Sequence, residues 1–170
     1  MSYLFTANLW LHIGFAMAAL VLFWVPIFTK KGHLNHKRFG HFYKTAMYTV
    51  AVTGTIMALM VIFAPFETKP SLASHENPQA VIKYFHNFYS FIIYLGLLIF
   101  VTTRHGIAVL KAKDDRKQLR TLTYISPVWL LALGGIALFA NGIYQKHPLF
   151  IAFGALGLTL GWSILRYCLR

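Results

Sequence analysis

Five apolar runs, at residues 4–29, 42–65, 82–103, 122–143 and 149–165, leave this chain few ways to fold. A helix needs about 17–25 apolar residues to cross the hydrocarbon core of a bilayer. Within that core the backbone must satisfy its own hydrogen bonds, and a helix does so inside one segment. The expected fold is therefore all-α, a polytopic membrane protein with a five-transmembrane-helix bundle, residues 1–170 forming a single transmembrane domain. Composition agrees with this. Charged residues make up 12% of the chain and the mean hydropathy is +0.59, whereas soluble domains are about a quarter charged. The 16% aromatic content has a natural place at the headgroup level. The first run does not read as a secretory signal, because no positive charge precedes it and it exceeds the ~7–15 residues of a signal core.

Sixteen Lys and Arg residues oppose four Asp and Glu, for a net charge of +12. No nucleic-acid partner is expected, since this charge lies in blocks between apolar runs and not in one patch. The densest block, residues 30–47, reads as a cytoplasmic loop that opens the second span. Residues 66–82, with Pro70 and Pro78, read as an irregular external loop; 106–120 form a polar linker; 144–148 suit only a hairpin. Thirteen of the sixteen basic residues then share one side, and three (Lys69, Lys83 and Lys146) take the other. The positive-inside rule puts the N-terminus outside and the C-terminus in the cytoplasm. The basic loops should meet a lipid bilayer with anionic headgroups.

Helices in a membrane meet where small residues let their backbones approach. Gly154, Gly157 and Gly161 in the fifth run, and Ala132, Gly134, Gly135 and Ala137 in the fourth, predict that these two pair. Cys168 is the one cysteine, which excludes an intramolecular disulfide and reads as an inert buried thiol.

Ionisable groups inside a bilayer are costly and mark function. His12 lies well within the first run, and Asn8, four residues earlier, shares its helical face. The structural alternative is a neutral imidazole bonded to a Tyr or Thr of a neighbouring helix. In the second run His41, Thr45, Tyr48, Val52 and Thr55 fall near one stripe. His86 and His105 stand at the two ends of the third, 19 residues apart, or about 28 Å of helix. Arg104 aligns with His86 and could receive an anionic group such as a haem propionate.

Three readings compete. His12, His41, His86 and His105 could ligate a b-type haem or another metal in a redox, electron-transfer role, with axial ligands at matched depth on facing helices. His33 and His36 could join His41 and His105 in a non-haem metal cluster, although the HxxxH and HxxHH boxes of membrane diiron enzymes are missing. Alternatively, Asn8, His12 and the threonines could line a route for a proton or small solute. All four carboxylates, Glu67, Glu76, Asp114 and Asp115, sit in loops, which disfavours a proton-coupled pump. No GxxxxGK[ST], GxGxxG or HExxH motif is present, so neither a nucleotide fold nor a zincin is indicated.

The residues His12-Ile13-Gly14, Ala18-Ala19-Leu20, Lys31-Gly32, His36-Lys37, Gly40, Tyr43 and Met47 resemble a family of bacterial predicted membrane proteins, domain of unknown function 2306. The likeness covers the first two spans and their loop. It implies a bacterial inner-membrane location, singles out His12 and His36, and implies no activity. The combined expectation is a histidine-ligated redox component, with a solute pathway or a non-catalytic accessory subunit as alternatives. A membrane-complex partner or a homo-oligomer would be compatible with any of these.

Overall fold

The computed structural model describes residues 1–30, 34–113 and 115–169. Among these the chain is helical throughout: α1 (Ser2–Phe28), α2 (Leu34–Phe63), the short α3 (Pro65–Thr68), α4 (Pro78–Ala112), α5 (Leu122–Gln145) and α6 (Pro148–Leu169), with 3-10 turns at Pro70–Ser74 and Arg116–Arg120. Five of the helices, α1, α2, α4, α5 and α6, are long and apolar enough to cross a membrane. The chain is an all-helical membrane protein.

The helix ends depart from the hydropathy boundaries. α2 starts at Leu34, so His36, Lys37, Arg38 and His41 are helical and not loop residues. Nothing between Leu34 and Phe42 stops a helix except Gly40, and one glycine costs only about 1 kcal/mol. The stretch expected to be an irregular loop, 66–82, is also more ordered than its prolines imply. Pro65 and Pro70 each open a helical turn, where a missing N–H is harmless. The buried Thr68 hydroxyl donates to the Met60 carbonyl at 3.0 Å, and Asn77 Oδ1 accepts from Ala80 N at 3.1 Å, capping α4. α4 runs on to Ala112, so half of the expected polar linker is helix.

The chain divides into two compact units, Met1–Gly96 and Leu97–Arg170. In the first, α1 pairs with α2. Among the described side chains of α1 only Ala19 is buried, against Ala46, Ala51, Met57, Ala58 and Val61 of α2. Trp10, Val21 and Phe28 of α1 are 69%, 63% and 81% exposed. In water such a surface would drive aggregation; in a bilayer it is the surface that lipid covers. α4 meets α2 at Gly96, where an added Cβ would lie 3.3 Å from the Ala51 carbonyl and collide with the Thr55 hydroxyl.

In the second unit α5 and α6 form the expected hairpin. Lys146 takes a left-handed conformation (φ 53) and His147 N donates to the Gly142 carbonyl at 2.9 Å, closing α5. Pro148 then starts α6. The seam is made of small residues: a Cβ on Gly154 would stand 2.5 Å from Phe139 N, and one on Gly161 2.9 Å from Ala132 Cβ. Leu131, Phe150, Leu165 and Cys168 fill the buried side. The buried free thiol of Cys168 matches the inert reading.

Candidate functional site

The polar centre of the first unit joins α1 to α2. Thr45, Thr49 and Thr53 recur every four residues along α2, and each hydroxyl donates to the carbonyl one turn back: Thr45 to His41 at 3.1 Å, Thr49 to Thr45 at 3.1 Å and Thr53 to Thr49 at 2.6 Å. Thr53 is 4% exposed, facing α1. There His12 Nδ1 lies 2.9 Å from Thr53 Oγ1, and Asn8 Nδ2 donates to the Thr53 carbonyl at 2.8 Å.

These contacts assign the protons. A carbonyl carries no hydrogen, so the 2.6 Å contact to Thr49 O uses the single proton of the Thr53 hydroxyl, shared at most with Val50 O at 3.2 Å. Thr53 Oγ1 must then accept from His12, which places the imidazole proton on Nδ1. The His12 ring also engages the Val50 backbone, one turn before Thr53 on α2. The ring is also held from the side, since a Cβ on Gly54 would lie 3.2 Å from His12 Cε1. Beside this network opens a cleft of about 410 Å³, lined by Asn8, Leu11, Tyr48, Thr49, Val52, Thr53 and Ile56.

The other histidines of this unit have different settings. His86 donates through Nε2 to the Ile62 carbonyl at 3.1 Å, so its Nε2 is protonated and engaged. Thr53 and Ile62 are nine residues apart on α2, or about 13.5 Å. The structure thus does not bring His12 and His86 together as two ligands of one iron. His41 is exposed, with Lys44 Nζ 3.3 Å from its Nδ1, and His36 Nδ1 lies 3.4 Å from Thr29 Oγ1. His33 lies outside the described residues. Among those described, no three His, Cys, Asp or Glu side chains are placed to share a metal ion.

In the second unit Arg104 and His105 act on α5. Pro127 has no N–H, so the Thr123 carbonyl, four residues earlier, has no helical partner. Arg104 Nη1 donates to it at 3.1 Å, and the guanidinium also lies 4.9 Å from the centre of the Tyr124 ring. His105 Nδ1 is 2.6 Å from the Tyr124 hydroxyl, and Tyr167 meets its ring edge-on at 5.5 Å. Arg104, expected to receive an anion, thus spends part of its donor set on the carbonyl that Pro127 strands.

Two residues at these contacts were not among the expected ones. Thr53 lies beside the stripe drawn through Val52 and Thr55; the four-residue spacing of Thr45, Thr49 and Thr53 is the signal that finds it. Tyr124 is marked only by its place three residues before Pro127. No family profile, curated protein or solved structure matches the chain.

Proposed function

We propose that this chain is a histidine-ligated redox component of a membrane, with His12 offering a nitrogen to a b-type haem or a metal ion. The observation that carries this reading is the proton assignment at His12. A ligating imidazole characteristically gives its second N–H to an oxygen that fixes tautomer and orientation, and the Thr53 hydroxyl supplies that oxygen. His86 and His41 lack this setting, which favours His12 over them as the ligand. A haem held there would supply a one-electron couple inside the membrane, with His12 as the residue that would hold it and the apolar surroundings tuning its potential. In the second unit, the short bond from His105 to Tyr124 makes His105 the next candidate.

The test is the visible spectrum and metal content of protein extracted from membranes in mild detergent. The expected result is a Soret band, or stoichiometric metal, that is lost in His12→Gln while helical content persists. Colourless, metal-free protein would refute the reading. It would favour the second one, a route for a proton or small solute, for which the cleft beside Asn8, Tyr48 and Thr49 is the supporting feature.

The same proposal places the chain in a bacterial inner membrane, N-terminus outside and C-terminus cytoplasmic, as a member of the family it resembles. The support is the one-sided distribution of Lys and Arg together with the motif likeness in the first two spans. A redox role of this kind calls for an electron-transfer partner, which a membrane complex or a second copy would provide.

A further inference from the structure

The end of the second unit where α5 begins and α6 finishes carries a groove of about 240 Å³, lined by Trp129, Trp162, Leu165, Arg166 and Leu169. Its walls are open to the surroundings: Trp129 is 46% exposed and Trp162 64%. Arg166 follows Trp162 by four residues, so the guanidinium stands one helical turn beyond the indole on the same face. The groove is therefore apolar along its length and cationic at its mouth, and indoles are at home at that depth of a membrane.

Two more guanidinium groups gather on the same turn of α6. Arg120 donates through Nε to the Cys168 carbonyl at 3.0 Å. Arg116 lies 4.4 Å from the centre of the Tyr167 ring. Asp115 accepts locally, from Lys117 N at 3.2 Å and Gln118 Nε2 at 3.1 Å; Asp114 lies outside the described residues. Sixteen basic residues against four acidic ones leave the chain a surplus of positive charge. A second copy brings the same surplus and would set positive against positive. An occupant with an apolar tail and an anionic head meets both requirements.

We propose that this groove seats an anionic phospholipid, its acyl chain between Trp129 and Trp162 and its phosphate against Arg166, with Arg120 and Arg116 flanking. Arginine suits that role, since its planar fork pairs two N–H groups with two phosphate oxygens. The proposal is independent of any cofactor at His12.

The experiment uses the full chain carrying Trp10→Phe and Trp24→Phe, which leaves Trp129 and Trp162 as the only indoles. Both replaced residues are exposed, so the fold should tolerate the change. The protein is reconstituted in phosphatidylcholine vesicles containing a minor fraction of brominated phosphatidylglycerol or, in parallel, brominated phosphatidylcholine. Bromine quenches indole fluorescence on contact. The expected result is about fivefold preferential quenching by the anionic lipid, the ratio that ~1 kcal/mol per basic residue at an anionic surface gives. Arg166→Gln should bring the ratio near one, Arg166→Lys should retain part of it, and Arg38→Gln, in the other unit, should leave it unchanged. Circular dichroism confirms that each variant is folded. Equal quenching by the two lipids, or an unchanged ratio in Arg166→Gln, would overturn the proposal. So would absence of quenching by either lipid with cross-linking between copies through this face, which would make a second copy the occupant.

Discussion

Replacing Pro127 with Ala should make Arg104 less important, and the size of that change follows from the geometry. In the wild type the Thr123 carbonyl depends on the Arg104 guanidinium at 3.1 Å, because Pro127 offers no N–H. A hydrogen bond to a charged group contributes about 1.5–3 kcal/mol. The Tyr124 ring at 4.9 Å adds ~0.5–1 kcal/mol of cation–π attraction. Arg104→Met alone should therefore cost about 2–4 kcal/mol. In Pro127→Ala the new backbone N–H can reach the Thr123 carbonyl in the ordinary helical manner, and Arg104→Met should cost roughly half as much. The coupling should then be about 1–2 kcal/mol, at or above the ~0.6 kcal/mol average and near the ~1.7 kcal/mol maximum measured for interhelical hydrogen bonds in membranes. Unfolding of the four proteins in mixed micelles, followed by circular dichroism, closes the cycle. Losses from Arg104→Met that agree within about 0.5 kcal/mol in the two backgrounds would show that Arg104 does not replace the missing N–H.

Gly154→Ala should lower stability by more than about 1–3 kcal/mol, because its Cβ would meet the Phe139 backbone at 2.5 Å and no flexible side chain can give way. Gly14→Ala, which points into open space, should gain about 0.5–1 kcal/mol, so a thermal melt placing the two in the opposite order would contradict the seam. Gly54→Ala should shift the His12 ring by a few tenths of an ångström against the Thr53 hydroxyl and, under the proposed ligation, lower the Soret absorbance or metal content with little change in melting temperature; unchanged absorbance would count against His12 as ligand. Cysteines introduced at Ser74 and Lys117 should differ in reactivity towards an impermeant thiol reagent in intact cells, Ser74→Cys alone being labelled. The reverse pattern would invert the proposed orientation.

The spans are legible in the sequence because apolar length is what a bilayer demands of a helix, and each run supplies it. The helix ends are not, because hydropathy falls where a helix leaves the hydrocarbon while its backbone bonds continue; α2 from Leu34 and α4 to Ala112 are both cases. The pairing of α5 with α6 is legible from Gly154, Gly161 and the short link, since backbone approach needs small residues at fixed spacing. Asn8 and His12 can be placed on one face by counting, and a Thr or Tyr partner is foreseeable. Which threonine they find is not, because the angular position of α2 against α1 is set by packing between the helices, as at Ala19 beside Met47 and Val50, and not by any local pattern. Arg104 shows the same limit. Its charge is visible in the sequence, but its target is a carbonyl made available by a proline 23 residues later.

The sparse burial of α1 bears on how this chain can change over generations. Trp10, Leu11, Met17, Leu20, Val21 and Phe28 present their surfaces outward, where the requirement is summed transfer energy and not shape. Leu, Ile, Val, Phe and Met are nearly interchangeable there, whereas a Lys or Arg near the middle of the span costs about 2.5–3.5 kcal/mol. Asn8 and His12 are under the opposite rule, since both answer to Thr53 on α2, and Ala19 is held to small size by its burial. Drift along α1 should therefore be fast in identity and slow in hydropathy, and related chains should keep a sparse set of fixed positions within a freely varying apolar text.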